Sequence, residues 1–199
     1  MDGQGGPGTD DDGAGAGVVG PVPAGADPDA YDRLRRRVLW AMPSGLYVVG
    51  SRADAGEGPR WNLMTANLVM QVSTDPKRVA VAVDAGAVTA ALISAGRAFS
   101  VSLLDRDDRA VVRRFVKPVG DVETAPDGRA TLMAGQPVSE APSGSPVLAS
   151  AAAWIDCTLD YRLELGSHVL FVGLVSAVGG DPEGRQLLRM EDTRMNYGG

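Results

Sequence analysis

Between residues 155 and 165 apolar and polar side chains alternate without a break: Ile155, Cys157, Leu159, Tyr161, Leu163 and Leu165 are separated by Asp156, Thr158, Asp160, Arg162 and Glu164. A period of two is that of a pleated strand, so the segment is expected as a β-strand with its apolar set inward and its polar set in water. Gly166 supplies a turn, and His168 to Val178 is apolar on both faces, as in the central arm of a hairpin. Further strands are expected over Leu46 to Arg52, Trp61 to Ser73, Arg78 to Asp84 and Ala98 to Leu104, each bounded by Gly, Pro, Asp or Ser. Two short helices interrupt them. One runs from Ala87 to Ala95 and stops at Gly96. The other runs from Asp105 to Val116, with Asp105 as N-cap, Arg113 and Arg114 in its last turn and Pro118 beyond. Residues 119–150, rich in Gly, Pro and Ser, are expected as a long loop with one short strand from Ala130 to Met133. With no β-α-β-α alternation, the fold class is mainly β with short helices, an antiparallel Greek-key barrel.

The N-terminal segment is of another kind. Residues 1–27 hold nine Gly, three Pro and five Asp, too little apolar surface to offset the entropy of ordering, so residues 1–28 are expected as a disordered tail and 29–199 as the folded domain. Gly15-Ala16-Gly17-Val18-Val19-Gly20 satisfies the G-x-G-x-x-G dinucleotide pattern. Asp10-Asp11-Asp12 stands before it and Pro21-Val22-Pro23 after it, where a strand and a helix would be required, so the Rossmann reading fails. A helix is expected from Asp27-Pro28 with Tyr31, Leu34, Val38 and Ala41 on one face, its Arg33–Arg37 cluster solvated beside Asp29 and Asp32.

The net charge of −6 resides in the tail, because residues 1–29 carry six Asp and no basic residue. The rest sums to zero, so nucleic acid is not an expected partner. One Cys and one His exclude disulfide frameworks and thiolate or His-rich metal sites, and Cys157 reads as a core residue. No apolar run is long enough for a membrane span and no signal sequence is evident, so the expected location is cytoplasmic. A Ser-His-Asp hydrolase would have to use His168, yet no Gly-x-Ser-x-Gly elbow exists and Lys77 and Lys117 are the only lysines. A chain this poor in titratable groups suits chemistry done by a cofactor.

Particular residues carry a resemblance. Pro43-Ser44-Gly45 leads into a Val-rich strand, followed by Asn62-Leu63-Met64-Thr65-Ala66-Asn67, Gln71-Val72-Ser73, Asp75-Pro76, Arg78 to Val83, Thr89, and Phe99-Ser100-Val101. Then come Ser145-Pro146-Val147-Leu148, Ala153 to Cys157, Gly166 to Gly173 and Asn196-Tyr197-Gly198. In this order they resemble the flavin reductase family of FMN-binding split barrels over about residues 30–199.

The resemblance implies a split β-barrel, a homodimer, and transfer of hydride from NADH or NADPH to FMN or, less often, FAD. The reduced flavin would be handed to a partner such as a two-component monooxygenase. It implies that Met64, Thr65, Ala66 and Asn67, with Asn62 heading the stretch, lie along the isoalloxazine edge. Gln71 and Ser73 would face the ribityl chain, and the loop from Asp84 to Thr89 with the following helix N-terminus would receive the phosphate. That loop has no basic residue, so Thr89 and backbone N–H groups hold the phosphate, or arginines of a partner subunit do. His168 either matches a histidine on the nicotinamide side or is hydrogen-bonded to its own turn. Two other readings stay open: a flavin-binding electron-transfer or storage protein without its own nicotinamide activity, and a split barrel for a deazaflavin or haem.

Overall fold

The structure, a computed structural model, describes residues 20–56, 58–193 and 195. The tail expected over 1–28 lies outside them as far as Val19, as does all of the Gly15 to Gly20 pattern but its last glycine, and Asn196-Tyr197-Gly198 lies outside them too. By their contacts the described residues fall into two units, 20–42 and 43–195.

The first unit contains helix α1, Pro28–Trp40, with proline at its start and Asp27 as N-cap accepting the Ala30 N–H at 2.7 Å. Asp32 pairs with Arg35 and with Arg36, so the arginine cluster is a charged face braced at helical spacing. No residue of α1 is buried.

The second unit is built on a seven-stranded sheet. Its strands are β1 (Tyr47–Ala55), β2 (Gly58–Ala66), β3 (Val69–Thr74), β4 (Lys77–Asp84) and β5 (Ala98–Leu103), then, after a smaller sheet, β10 (Ala153–Glu164) and β11 (His168–Gly180). Their order is β2-β1-β5-β10-β11-β4-β3, and every pairing is antiparallel. The edge strands β2 and β3 are separated by only Asn67 and Leu68. Two edges joined by two residues require the sheet to curl until they meet, and because they do not pair, the barrel is split. The single strand expected from Trp61 to Ser73 is therefore two, broken where the chain leaves one edge for the other.

Residues 119–150 depart furthest from expectation. The short strand expected from Ala130 to Met133 is present, but it is one of four in order, β6 (Val122–Thr124), β7 (Ala130–Met133), β8 (Gln136–Glu140) and β9 (Pro146–Leu148). Gly128, Gly135 and Gly144, all at positive φ, mark their three turns. At the tightest, Ala134 and Gly135 both have positive φ (47° and 71°), the backbone of a two-residue hairpin. The Asp105–Val116 helix is instead two 3-10 turns, Arg106–Asp108 and Val111–Phe115; the capping reading holds, since Asp105 accepts the Asp107 N–H at 3.1 Å.

Two hydrophobic clusters flank the large sheet. One gathers Val49, Val81, Phe99, Cys157 and Phe171 under helix α2 (Val88–Gly96), which contributes Ala90 and Ile93. The other gathers Leu46, Val48, Leu63, Leu104, Phe115, Met133 and Leu148 under the 3-10 turns and the small sheet. Strand β1 thus serves both, Val48 on one side and Val49 on the other.

The alternation of β10 is only half a core pattern. Ile155, Cys157 and Leu159 face the first cluster as expected, but Tyr161, Leu163 and Leu165 are exposed and Asp156 is buried. The register shifts between Leu159 and Tyr161, where Asp160 is the extra residue of a bulge. It turns the following apolar residues to the outer face.

Candidate functional site

Where β2 gives way to β3 the sheet opens. Leu68 at the bend accepts the Ala82 N–H at 2.9 Å, which lays Asn67 beside the end of β4. That strand stops at Asp84, directly opposite His168 on β11. The chain then turns sharply: the Asp84 carboxylate accepts the Gly86 N–H at 2.8 Å, its carbonyl accepts the Ala87 N–H at 3.0 Å, and Ala85 donates to the Ser167 carbonyl at 3.0 Å. Asn67, the Asp84–Ala87 turn, the start of α2 and His168 therefore share one end of the sheet.

The start of α2 carries no side-chain cap, since its N-cap is Ala87. Its first N–H groups are left to whatever reaches them, and a helix N-terminus in that condition suits a phosphate. Asn67 is half-buried and makes no hydrogen bond among the described residues.

Three of the expected ligand residues have internal duties instead. Asn62 is buried; its Nδ2 donates to Thr89 Oγ1 at 2.9 Å while its Oδ1 accepts the Val119 N–H at 2.9 Å. Thr65 is buried and donates to the Val112 carbonyl at 2.5 Å. Thr89 is 1% exposed and is the acceptor for Asn62, so its hydroxyl is turned into the fold and away from a phosphate at the surface. The side chains of Asn62, Thr65 and Thr89 thus tie β2 to α2 and to the 111–119 segment and hold the stretch in place. The reason is positional: β2 is an edge strand, and its polar side chains satisfy the backbone of elements packed across it.

The others lie along the opening. Met64 is half-buried against the first cluster and Ala66 is part of it, so they present backbone rather than side-chain polar groups. Gln71 is exposed, with Nε2 donating to the Ser73 carbonyl at 3.0 Å, and Ser73 is half-buried opposite Arg78. Of the two readings of His168 the turn contact is present, Nδ1 lying 2.9 Å from Ser167 Oγ; Nε2 makes no hydrogen bond among the described residues.

Burial pushes the Cys157 thiol up to about 12, with the neighbouring Asp156 carboxylate adding to the effect, so it stays protonated in the core. Burial likewise raises the Tyr47 phenol. Among the described residues no group of three or more His, Cys, Asp or Glu could hold a metal ion, and no helix is long and apolar enough to cross a membrane.

The buried connectors Asn62 and Thr89 and the orphaned Ser51 hydroxyl, fully buried opposite Asn62, could not be recognised from sequence. An isolated amide or hydroxyl carries no periodic signal.

Comparison with known proteins places this arrangement among relatives. The family model described as flavin reductase like domain matches residues 39–198. The chain is 30% identical over 150 residues to the stachydrine N-demethylase reductase subunit Stc3 of Rhizobium meliloti, covering 75% of this chain and 60% of that protein. It is 30% identical over 144 residues to the NADH-dependent flavin reductase StyB of Pseudomonas fluorescens, covering 72% of this chain and 76% of that one. Among solved structures, the NADH:FAD oxidoreductase SgcE6 of Streptomyces globisporus C-1027 superposes with a TM-score of 0.65 at 27% identity, covering 90% of this chain and 98% of its own.

Proposed function

This chain belongs to the flavin reductase-like domain family, and on that premise we propose that it moves hydride from NADH or NADPH to FMN or FAD and supplies the reduced flavin to a monooxygenase partner. The observation that carries the reading is the opening between β2 and β3. It gathers the outer backbone edge of Met64 to Ala66, whose other edge pairs with β1, together with Asn67, the uncapped start of α2 and His168 at one end of the sheet. The residues present fit a flavin: an uncapped helix for its phosphate, backbone donors and the Asn67 amide for the polar ring edge, and Gln71 and Ser73 for the ribityl hydroxyls.

A bound flavin supplies the hydride-accepting centre. The chain supplies orientation. Backbone N–H groups from Met64 to Asn67 stabilise negative charge at the ring edge, because they are fixed by β2 and need not reorganise. Asn62 and Thr65 act at one remove, holding that backbone through Thr89, Val119 and Val112. His168 closes the end of the sheet on the side open to a second ring. Holding two rings near contact and excluding water removes much of the barrier without a protein acid or base.

A homodimer forms part of the same reading. On the outer face of the sheet, Met70, Tyr161 and Leu163 are 66%, 58% and 57% exposed, with Ala80, Ala82, Leu170 and Val172 between them in register. A contiguous apolar sheet face suits a second copy. His168 lies on this same face, next to Leu170, so such a partner would border the site.

Absorbance spectra test the function. Purified protein is incubated with FMN or FAD, desalted, then treated anaerobically with NADH and with NADPH. Retained flavin that bleaches, or turnover of free flavin in a steady-state assay, is expected. Retained flavin that stays oxidised with both nucleotides and no turnover would replace the reductase reading with simple flavin binding.

A further inference from the structure

After β5 the link between the two 3-10 turns and the second turn itself form one wall of a cleft of about 380 Å3 lined by Arg109, Ala110, Arg113, Asp192 and Thr193. Its acid is already engaged. Asp192 Oδ1 lies 2.6 Å from the Arg106 guanidinium, and Oδ2 accepts the Arg189 N–H at 3.0 Å. The guanidinium groups of Arg109 and Arg113 make no ion pair or hydrogen bond with any described residue, and both residues are exposed. Two uncompensated guanidinium groups on one wall give the cleft a net positive charge, and each presents a planar fork that matches phosphate oxygens two at a time.

The cleft also has a fixed relation to the site. Val112, next in the chain to Arg113, accepts the Thr65 hydroxyl at 2.5 Å. The arginine-bearing turn is thus hydrogen-bonded to the Met64–Asn67 stretch itself. The Asp84–Thr89 turn, by contrast, has no basic residue, and Thr89 is buried. A reductase handles nucleotides with at least one phosphate each, and this unit needs positive charge that the turn does not provide.

We infer that Arg109 and Arg113 form an anion site for nucleotide phosphate, either the diphosphate of the pyridine dinucleotide or, in place of the start of α2, the phosphate of the flavin. The inference rests on the reductase reading. Arg106 has a different task, holding Asp192 and so shaping the cleft, with a second contact at 3.2 Å to the Gln186 side-chain oxygen.

The test uses the full chain with Arg109→Gln and Arg113→Gln combined, and a second variant with both changed to Lys. Dissociation constants are measured for riboflavin, FMN and FAD by flavin fluorescence and for NAD+ and NADP+ by calorimetry. Riboflavin has no phosphate, and its affinity is expected to hold. Loss of two charge-assisted contacts should weaken a phosphate-bearing ligand roughly ten- to hundredfold, with the Lys pair recovering part of the loss and with a shallower salt dependence in the Gln pair. Weakening confined to FMN and FAD assigns the site to flavin phosphate; weakening confined to NAD+ and NADP+ assigns it to the dinucleotide. Unchanged affinity for all five ligands, or riboflavin weakened as much as FMN, overturns the proposal. A wild type that binds FMN but does not oxidise NADH or NADPH would defeat the reductase reading and leave this binding comparison standing. A wild type that binds none of the five would overturn both.

Discussion

Asn62 shows how a residue can serve a site without touching its ligand. Both ends of its amide are used, one on Thr89 and one on the backbone of Val119, in a setting where water cannot substitute. Asn62→Ala would leave the Val119 N–H without its protein partner and the Thr89 hydroxyl buried alone, so a loss of about 2–3 kcal/mol is expected, read as a lower urea midpoint with an unchanged m-value. Cys157 gives a prediction of a different kind. Its thiol holds its proton up to about 12 in the folded chain, against an ordinary value of 9.0. The unfolded chain releases that proton first, so the folded state binds more protons and stability falls as pH rises from about 9 toward about 12. Urea titrations at neutral pH and near pH 10.5 should show this fall, and Cys157→Ala should flatten the part due to the thiol. Equal slopes in the two proteins would show that burial is not shifting the thiol.

At the scale of elements, glycines fix how closely strands approach. A Cβ on Gly50 of β1 would stand 1.9 Å from the Pro146 carbonyl oxygen and 2.4 Å from Ser100 Oγ, whereas one on Gly173 of β11 would meet Cys157 Cβ at 2.6 Å and the Phe99 ring at 2.7 Å. The first obstacle is backbone that Ser100 also holds by a 2.6 Å hydrogen bond; the second is side chains in a core. Both alanine variants should destabilise by about 1–3 kcal/mol, Gly50→Ala the more, measured as thermal midpoints. These approaches are silent in sequence, and so was much of the small sheet. The large-sheet strands were legible because each carries its own apolar run between turn residues, and the hairpin of β10 and β11 because its alternation is long. Of the strands β6 to β9 only β7 was legible; the others have three to five residues each, too few for a period to emerge, and only Gly128, Gly135 and Gly144 hinted at their turns. The bulge at Asp160 escaped for a related reason: an inserted residue leaves the printed alternation intact while reversing its meaning. The site was legible as a stretch of chain, not as a set of contacts, because which of Asn62, Thr65 and Thr89 turn inward depends on elements packed across an edge. Arg113 read as a helix-terminal charge and only the fold brings it beside Asp192.

For the 43–195 unit, one sheet carries a core on each side and an apolar outer face along β3, β4, β11 and the far half of β10. If that face receives a second copy, Leu163→Arg should move the species seen by sedimentation equilibrium from twice the chain mass toward the chain mass, and weaken flavin retention at the adjoining site. A wild type of single chain mass at micromolar concentration would remove the homodimer from the reading. The double-sided core has a consequence for how pairing partners are chosen. A strand with one buried face cannot slip by one residue without exposing its apolar set, but β1 offers Val48 to one core and Val49 to the other and would bury valine either way. Alternation therefore does not enforce its alignment. What does is the absence of a side chain at residue 50: in a shifted pairing Val49 or Ser51 would have to occupy the space beneath Pro146 that only hydrogen can fill. The correct alignment of the strand shared by both cores is thus recorded in a single missing methyl group.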